Sequence, residues 1–315
     1  MYPLKFENIY FERLWGGRDL EGLRENLPEG NIGESWDVSC HSAANSIVVN
    51  GPLKGKSIKE LISLYGEAMV GKSLREKEFP LLIKLLSPRE DLSIQVHPSD
   101  MYAKKIEGTM GKTEAWYVVD AKPGAEIIAG VKRCSNDDFE RAIKDNNLEQ
   151  YLNRIPVKEG DFFFIESGMV HALCKDAIIA EIQQSSDITY RVYDYGRPRD
   201  LHVKKALEVV NLNLRAVNTG HNYYEAEEFD SFKKMLLCRS RYFYIEKYTL
   251  KGILEGKGDE NTFYIYTCVS GSGIIRDDSG EVLDIKKGDS MLIPSATKGY
   301  TLEGDVILLK TTPRT

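Results

Sequence analysis

The sequence predicts a mainly β fold of two jelly-roll-like barrels with added α-helices. Three observations carry that expectation. Ile94-Gln95-Val96-His97 alternates apolar and polar side chains with the two-residue period of a half-buried strand. A Gly-Asp turn followed by an apolar strand occurs at 160–171 and again at 288–299, so Gly288 answers to Gly160 and Gly299 to His171. With 315 residues, 42% of them hydrophobic, the chain can bury a sizeable core in one compact body or two domains.

Along the chain, the first clear element is a helix opening at Ser57, where Ser57 and Glu60 have the spacing of a capping box; it should form an outer cover. Next comes the strand that places Gln95 and His97 on one face. Glu114 then opens the strand Ala115-Trp116-Tyr117-Val118-Val119. A second helix begins at Ser135, an N-cap followed by early acids and an apolar face of Phe139, Ala142 and Ile143. In the Gly-Asp strand after Gly160, Gly168 permits a bend that returns His171 to the interior, where barrel closure would set it opposite Gln95 and His97. A third helix follows Asp200, with Val203, Ala206, Leu207 and Val210 on one side. The expected organisation is a metal-binding N-terminal domain over 1–200, with helical insertions at about 51–78 and 135–153, a helical linker over 201–235, and a degenerate second barrel over 236–315. That second barrel has Gly299 in place of the histidine and Thr262 in place of Glu114, so only the first should hold a metal.

Gln95, His97, Glu114 and His171 therefore form one candidate site. Two imidazoles, a carboxylate and an amide oxygen suit a borderline divalent ion, zinc above all, with room for water or substrate. Such a site carries a net charge of about +1 and favours anionic intermediates. Among the five histidines, His41, His202 and His221 have no comparable spacing and read as packed or surface residues. Gly111-Lys112-Thr113 has the look of a phosphate loop, but the glycine required five positions earlier is Ile106, which excludes it. Lys112 instead shares a strand face with Glu114 and points toward the same interior.

A net charge of −6 and a pI near 5.6 argue against general nucleic-acid binding and leave room for a local phosphate pocket. The residues from Met1 to Glu7 lack the apolar run of a signal peptide, and no uninterrupted span reaches membrane length, so a cytoplasmic protein is expected. Cys40, Cys134, Cys174, Cys238 and Cys268 are odd in number and widely separated, which predicts reduced thiols.

These segments resemble those of type I mannose-6-phosphate isomerases, which are zinc-dependent cupins. The resemblance runs through Arg13-Leu14-Trp15-Gly16-Gly17, Gly33-Glu34-Ser35-Trp36, Phe79 to Ser87, Leu92 to Pro98, Gly111 to Tyr117 and the glycine-to-His171 segment. It implies Gln95, His97, Glu114 and His171 as metal ligands, and it places Trp15, Glu34, Lys84, Ser93 and Lys112 in segments that line or border the active-site cleft. One departure is visible. Longer members carry an Arg-Ala-Gly-Leu-Thr-Pro-Lys-like segment after the metal histidine, whereas this chain has Ser186 to Asp194, as in a short bacterial branch. Arg191 is then the match to the family's active-site arginine, with Arg197 and Arg199 as charged loop residues. The implied reaction interconverts D-mannose 6-phosphate and D-fructose 6-phosphate through a cis-enediol. Lys112 and Arg191 are the catalytic candidates, Lys84, Ser93 and the arginine the phosphate contacts, and Trp15 and Trp36 shape the pocket. Proton transfer falls to Lys112, a metal-bound water or a carboxylate. A small-molecule sugar phosphate is the expected partner, with no obligate protein partner. Another cupin enzyme and a non-catalytic sugar-binding cupin are the alternatives.

Overall fold

The computed structural model describes residues 1–221 and 223–314. Three β-sheets stack in layers. The outermost holds five strands, with Ile94–Val96 between Tyr190–Tyr193 and His171–Leu173, followed by Glu126–Val131 and Leu152–Pro156. The middle sheet has seven strands, including Glu114–Ala121, Ala177–Gln184, Leu81–Leu86 and Ile32–His41 side by side. The third has eight, built mainly from Phe243–Gly256, Tyr264–Asp277 and Tyr300–Pro313.

The alternation of side chains along each strand explains the stacking. Trp116 and Val118 face the five-stranded sheet with Ile179, Ile127 and Phe163, while Ala115 and Tyr117 turn the other way and join Ile83, Phe263, Ile265 and Leu309 against the third sheet. The middle sheet is thus buried on both faces, which accounts for the near-continuous apolar run Leu81-Leu82-Ile83. In the third sheet, Tyr264, Tyr266 and Cys268 pack into a core of its own and Phe263 and Ile265 into the shared one.

The β class predicted from the sequence is the one observed, in jelly-roll form, with one correction. The sheets are not closed barrels; each has two free edges along its strand order, and the five- and seven-stranded sheets face each other as a sandwich. A closed barrel needs every strand paired on both sides, which local alternation cannot reveal.

The helices form where their caps predict. The helix Ile58–Tyr65 starts at Ser57 with both hydrogen bonds of the capping box in place, and Asn136–Lys144 starts at Ser135 with the same reciprocal arrangement to Asp138. Phe139 and Ala142 from the latter, and Ala206 from the helix Val203–Val209, cover the outer face of the five-stranded sheet over Ile94, Val96 and Ile128. All five cysteines are free thiols. No described helix is long and apolar enough to cross a membrane.

Candidate active site

The space between the five- and seven-stranded sheets holds the polar residues picked out from the sequence. Because Ile94 and Val96 turn outward into the helix-covered core, Gln95 and His97 turn inward. Glu114, first residue of its strand, faces them from the middle sheet on the same side as Trp116. His171 starts the next strand of the small sheet and pairs directly with Gln95. It therefore sits beside Gln95, not opposite as barrel closure would have it; Glu114 is the group on the opposing sheet. Gly168 makes the entry possible. Its φ of +91° is left-handed, and a Cβ there would stand 3.0 Å from the Val209 carbonyl oxygen.

His97 Nε2 and His171 Nε2 lie 3.0 Å apart, and each is 3.5 Å from a Glu114 oxygen. His171 Nδ1 donates to the Met169 carbonyl at 2.8 Å, which fixes the tautomer and leaves the Nε2 lone pair directed at the cluster. Burial pushes the His97 imidazole down to about 3, aided by the Lys112 ammonium, and burial likewise lowers His171, so both rings are neutral near pH 7. Burial alone would raise the Glu114 carboxyl, but Lys112 and the two imidazoles bring it well below its ordinary value. Lys112 Nζ stands 2.6 Å from Glu114 Oε2 and 3.1 Å from His97 Nε2. Burial opposes its charge, yet Glu114 and Glu181 outweigh that and raise its pKa.

This donor set fits a divalent cation. Neither Glu114 oxygen, although fully buried, has a hydrogen bond of acceptable geometry. One ligand atom each from His97, Glu114 and His171 converges within 4.8 Å, two neutral ring nitrogens and a carboxylate oxygen, a donor set suited to a divalent ion beside the Lys112 ammonium. Gln95 belongs to the same wall, with its amide nitrogen 3.4 Å from His171 Nε2 and its Oε1 3.5 Å from the Ser93 hydroxyl. Turning the amide over presents the oxygen instead, a change that gives up two long contacts, to Ser93 and to His171 Nε2. Among the described residues, His97, Glu114 and His171 are the one such group of three. In the third sheet Tyr264, Tyr266 and Tyr300 share hydroxyl hydrogen bonds of 2.8 and 3.0 Å within its core.

Above the cluster opens a cavity of about 440 Å³, and Trp15, Glu34, Lys84, Ser93, Gln95, Lys112 and Arg191 all line it. The cluster's other three residues are buried beneath. Glu34 accepts from Arg13 Nε at 2.6 Å and from the Trp36 indole at 2.7 Å, with Lys84 Nζ at 3.9 Å. Burial would raise its carboxyl, but Lys84 and Arg13 hold it down to about 2. The folded pKa lies below the unfolded one, so this carboxylate stabilises the fold above about pH 4.5 and loses that contribution as pH falls toward 2. Glu34→Gln is expected to cost roughly 3 kcal/mol at pH 7, with the gap to the parent closing between those pH values in urea unfolding curves.

Sequence reasoning missed Glu181. It lies inside the strand Ala177–Gln184, fully buried, accepts from the Trp116 indole at 3.1 Å and sits 3.3 Å from Lys84 Nζ. Burial and the nearby Glu114 charge raise its pKa. A charged residue in the middle of a strand buried on both faces was the available signal, because such a carboxylate is retained only where partners meet it. Arg13 and Arg199 also line the cavity. His41, His202 and His221 stand apart from the donor cluster, the last bonded to Asp161 at 2.8 Å.

Fold and site together define a cupin with an interior donor cluster at the floor of a cavity large enough for a small substrate. The family model for the type I phosphomannose isomerase catalytic domain matches residues 4–132, and that for the mannose-6-phosphate isomerase cupin domain matches 233–313. A probable mannose-6-phosphate isomerase of Bacillus subtilis is 38% identical over 312 residues, covering 96% of each chain. A mannose-6-phosphate isomerase of Streptococcus mutans is 34% identical over 98% of this chain and 97% of its own. The crystal structure of the mannose 6-phosphate isomerase from Bacillus subtilis superposes with a TM-score of 0.90 at 35% identity, covering 99% of both chains. The chain belongs to the type I phosphomannose isomerase family.

Proposed function

We propose that this protein interconverts D-mannose 6-phosphate and D-fructose 6-phosphate through a cis-enediol, with one zinc ion held by Gln95, His97, Glu114 and His171. The observation that carries the reading is the convergence of His97, Glu114 and His171, without hydrogen bonds to Glu114, at the floor of the cavity. Family membership supplies the sugar phosphate. A zinc ion there provides positive charge beside the sugar oxygens that become negative during isomerisation.

The protein's own groups do the rest. Lys112 Nζ, 2.6 Å from Glu114 and kept charged by Glu114 and Glu181, is placed to donate a proton to the sugar oxygens beside the cluster; it serves as a base only where a bound cation offsets those carboxylates and depresses its pKa. Arg191 keeps its charge throughout, orients the substrate and stabilises developing oxygen anions. Lys84 and Ser93 contact the polar end of the substrate, while Glu34 fixes Arg13 and, with Glu181, anchors Lys84. Trp15 and Trp36, both buried, shape the wall. The substrates are soluble metabolites, which fits a cytoplasmic enzyme.

Incubating zinc-loaded protein with mannose 6-phosphate should yield fructose 6-phosphate, and prior chelation should abolish the yield. Folded, fully loaded protein that binds mannose 6-phosphate without converting it would move the reading to a sugar-phosphate-binding module.

A further inference from the structure

One buried carboxylate, Asp194, holds two arginines, of which Arg199 lines the cavity. Arg199 makes a fork to Asp194, Nε to Oδ2 at 2.7 Å and Nη2 to Oδ1 at 2.6 Å, and Arg197 Nη2 lies 3.1 Å from the same Oδ1. The Asp194 side chain is 2% exposed. Arg191, on the strand just before, forms no ion pair among the described residues, and its Nε is buried without a hydrogen-bond partner. Of the three guanidiniums only Arg191 and Arg199 line the cavity, and against the one buried carboxylate they leave a surplus of positive charge there, with the exposed Asp187 also on the lining. Glu90 reaches Arg197 at 3.9 Å but is 66% exposed, and Asp187 and Asp200 also face water, so solvent screens all three.

Elsewhere in the cavity the cations are answered: Arg13 by Glu34, Lys84 by Glu181 and Glu34, Lys112 by Glu114. Arg191 and Arg199 line the cavity, whereas Arg197 turns away to the Asp91 carbonyl. Burial, and next the Arg199 charge, depress the Arg191 pKa. Arg199 spends Nε and one hydrogen of Nη2 on Asp194, which leaves Nη1 free to donate.

Resting on the reaction proposed above, we infer that Arg199, held in place by Asp194, binds the phosphate dianion of the substrate beside Arg191 and sets the preference for phosphorylated sugars. A phosphate monoester carries close to two negative charges near neutral pH, and Arg191 and Arg199 are the two cavity-lining guanidiniums that can answer them. Its three oxygens suit a guanidinium already fixed on its other edge, because less side-chain freedom is lost on binding. Asp194 is a positioning residue; it touches no substrate.

Two constants test this: the KM for mannose 6-phosphate, and the dissociation constant of inorganic phosphate measured by calorimetry. Arg199→Ala should raise both by roughly 10–100-fold, the KM rising by more than kcat falls. Arg199→Lys keeps the charge but loses the fork, and should give intermediate values; if the alanine variant fails to fold, the lysine variant decides. Phosphate affinity equal to the parent's in a folded variant, or a fall in kcat with both constants unchanged, overturns the inference. Parental turnover separates the two readings. Arg199-dependent phosphate binding without turnover sinks the reaction and retains the anion site, and turnover with Arg199-independent phosphate binding does the reverse.

Discussion

Replacing His171 with glutamine is expected to remove the bound divalent ion and lower turnover of mannose 6-phosphate by about three orders of magnitude. The size follows from the several kcal/mol that a cation contributes to anionic oxygens, at 1.36 kcal/mol per tenfold in rate. The physical ground is the tautomer: the Met169 carbonyl fixes Nδ1–H of His171, so Nε2 is a lone pair aimed at His97 and Glu114. Glutamine reaches the same space without a ring nitrogen and without that second bond. Metal content by elemental analysis should fall from about one per chain to near zero. Stability gives a readout independent of activity. Zinc at about a hundred times its dissociation constant should stabilise the parent by about 2.7 kcal/mol and leave His171→Gln nearly unmoved. Equal zinc-induced stabilisation of both proteins would remove His171 from the ligand set.

Much of this site was legible because it depends on short-range periodicity. Gln95 and His97 share a face through strand alternation, Lys112 meets Glu114 from the loop just before the strand Glu114–Ala121 and not from within it, and Gly168 marks the bend before His171. What the periodicity lacks is strand order. His171 lies beside Gln95 because the strand His171–Leu173 inserts between Ile94–Val96 and Glu126–Val131, a pairing set by contacts 76 residues apart in sequence. The same limit hid the open edges of the sheets and the pairing of Leu4 and Lys5 with Leu292 and Met291, nearly the whole chain away. Glu181 and Arg199 escaped for another reason. Glu181 meets partners on other strands, Trp116 and Lys84, whereas Arg199 is held by Asp194 within one charged loop where no periodicity singles the pair out.

Asp37→Ala is expected to destabilise the protein by about 3–5 kcal/mol, read as a fall in the unfolding free energy in urea. Asp37 and Arg24 are 1% and 2% exposed, and Arg24 Nη2 donates to both carboxylate oxygens at 2.8 and 2.9 Å. Around them Ser35, Asn8 and Ser290 donate to the carboxylate, and Arg24 Nη1 donates to the Gly288 carbonyl at 2.7 Å. The cluster thus joins the middle sheet to the Gly-Asp turn of the third, the turn that the sequence repeat had marked. The pair is not itself a large source of stability. Burial pushes the Asp37 carboxyl above its ordinary value despite Arg24, so the cost of taking its charge out of water exceeds what its partners return. Removing one member, however, leaves the other charge buried with its donors unanswered. The double change Arg24→Met with Asp37→Leu removes both charges and should therefore cost much less than Asp37→Ala alone. If the double variant is as unstable as the single one, packing at this junction, not the unpaired guanidinium, is what Asp37 protects. The expected result, a mild double and a severe single, would show that the two sheets are held in register by a pair whose value lies in being complete.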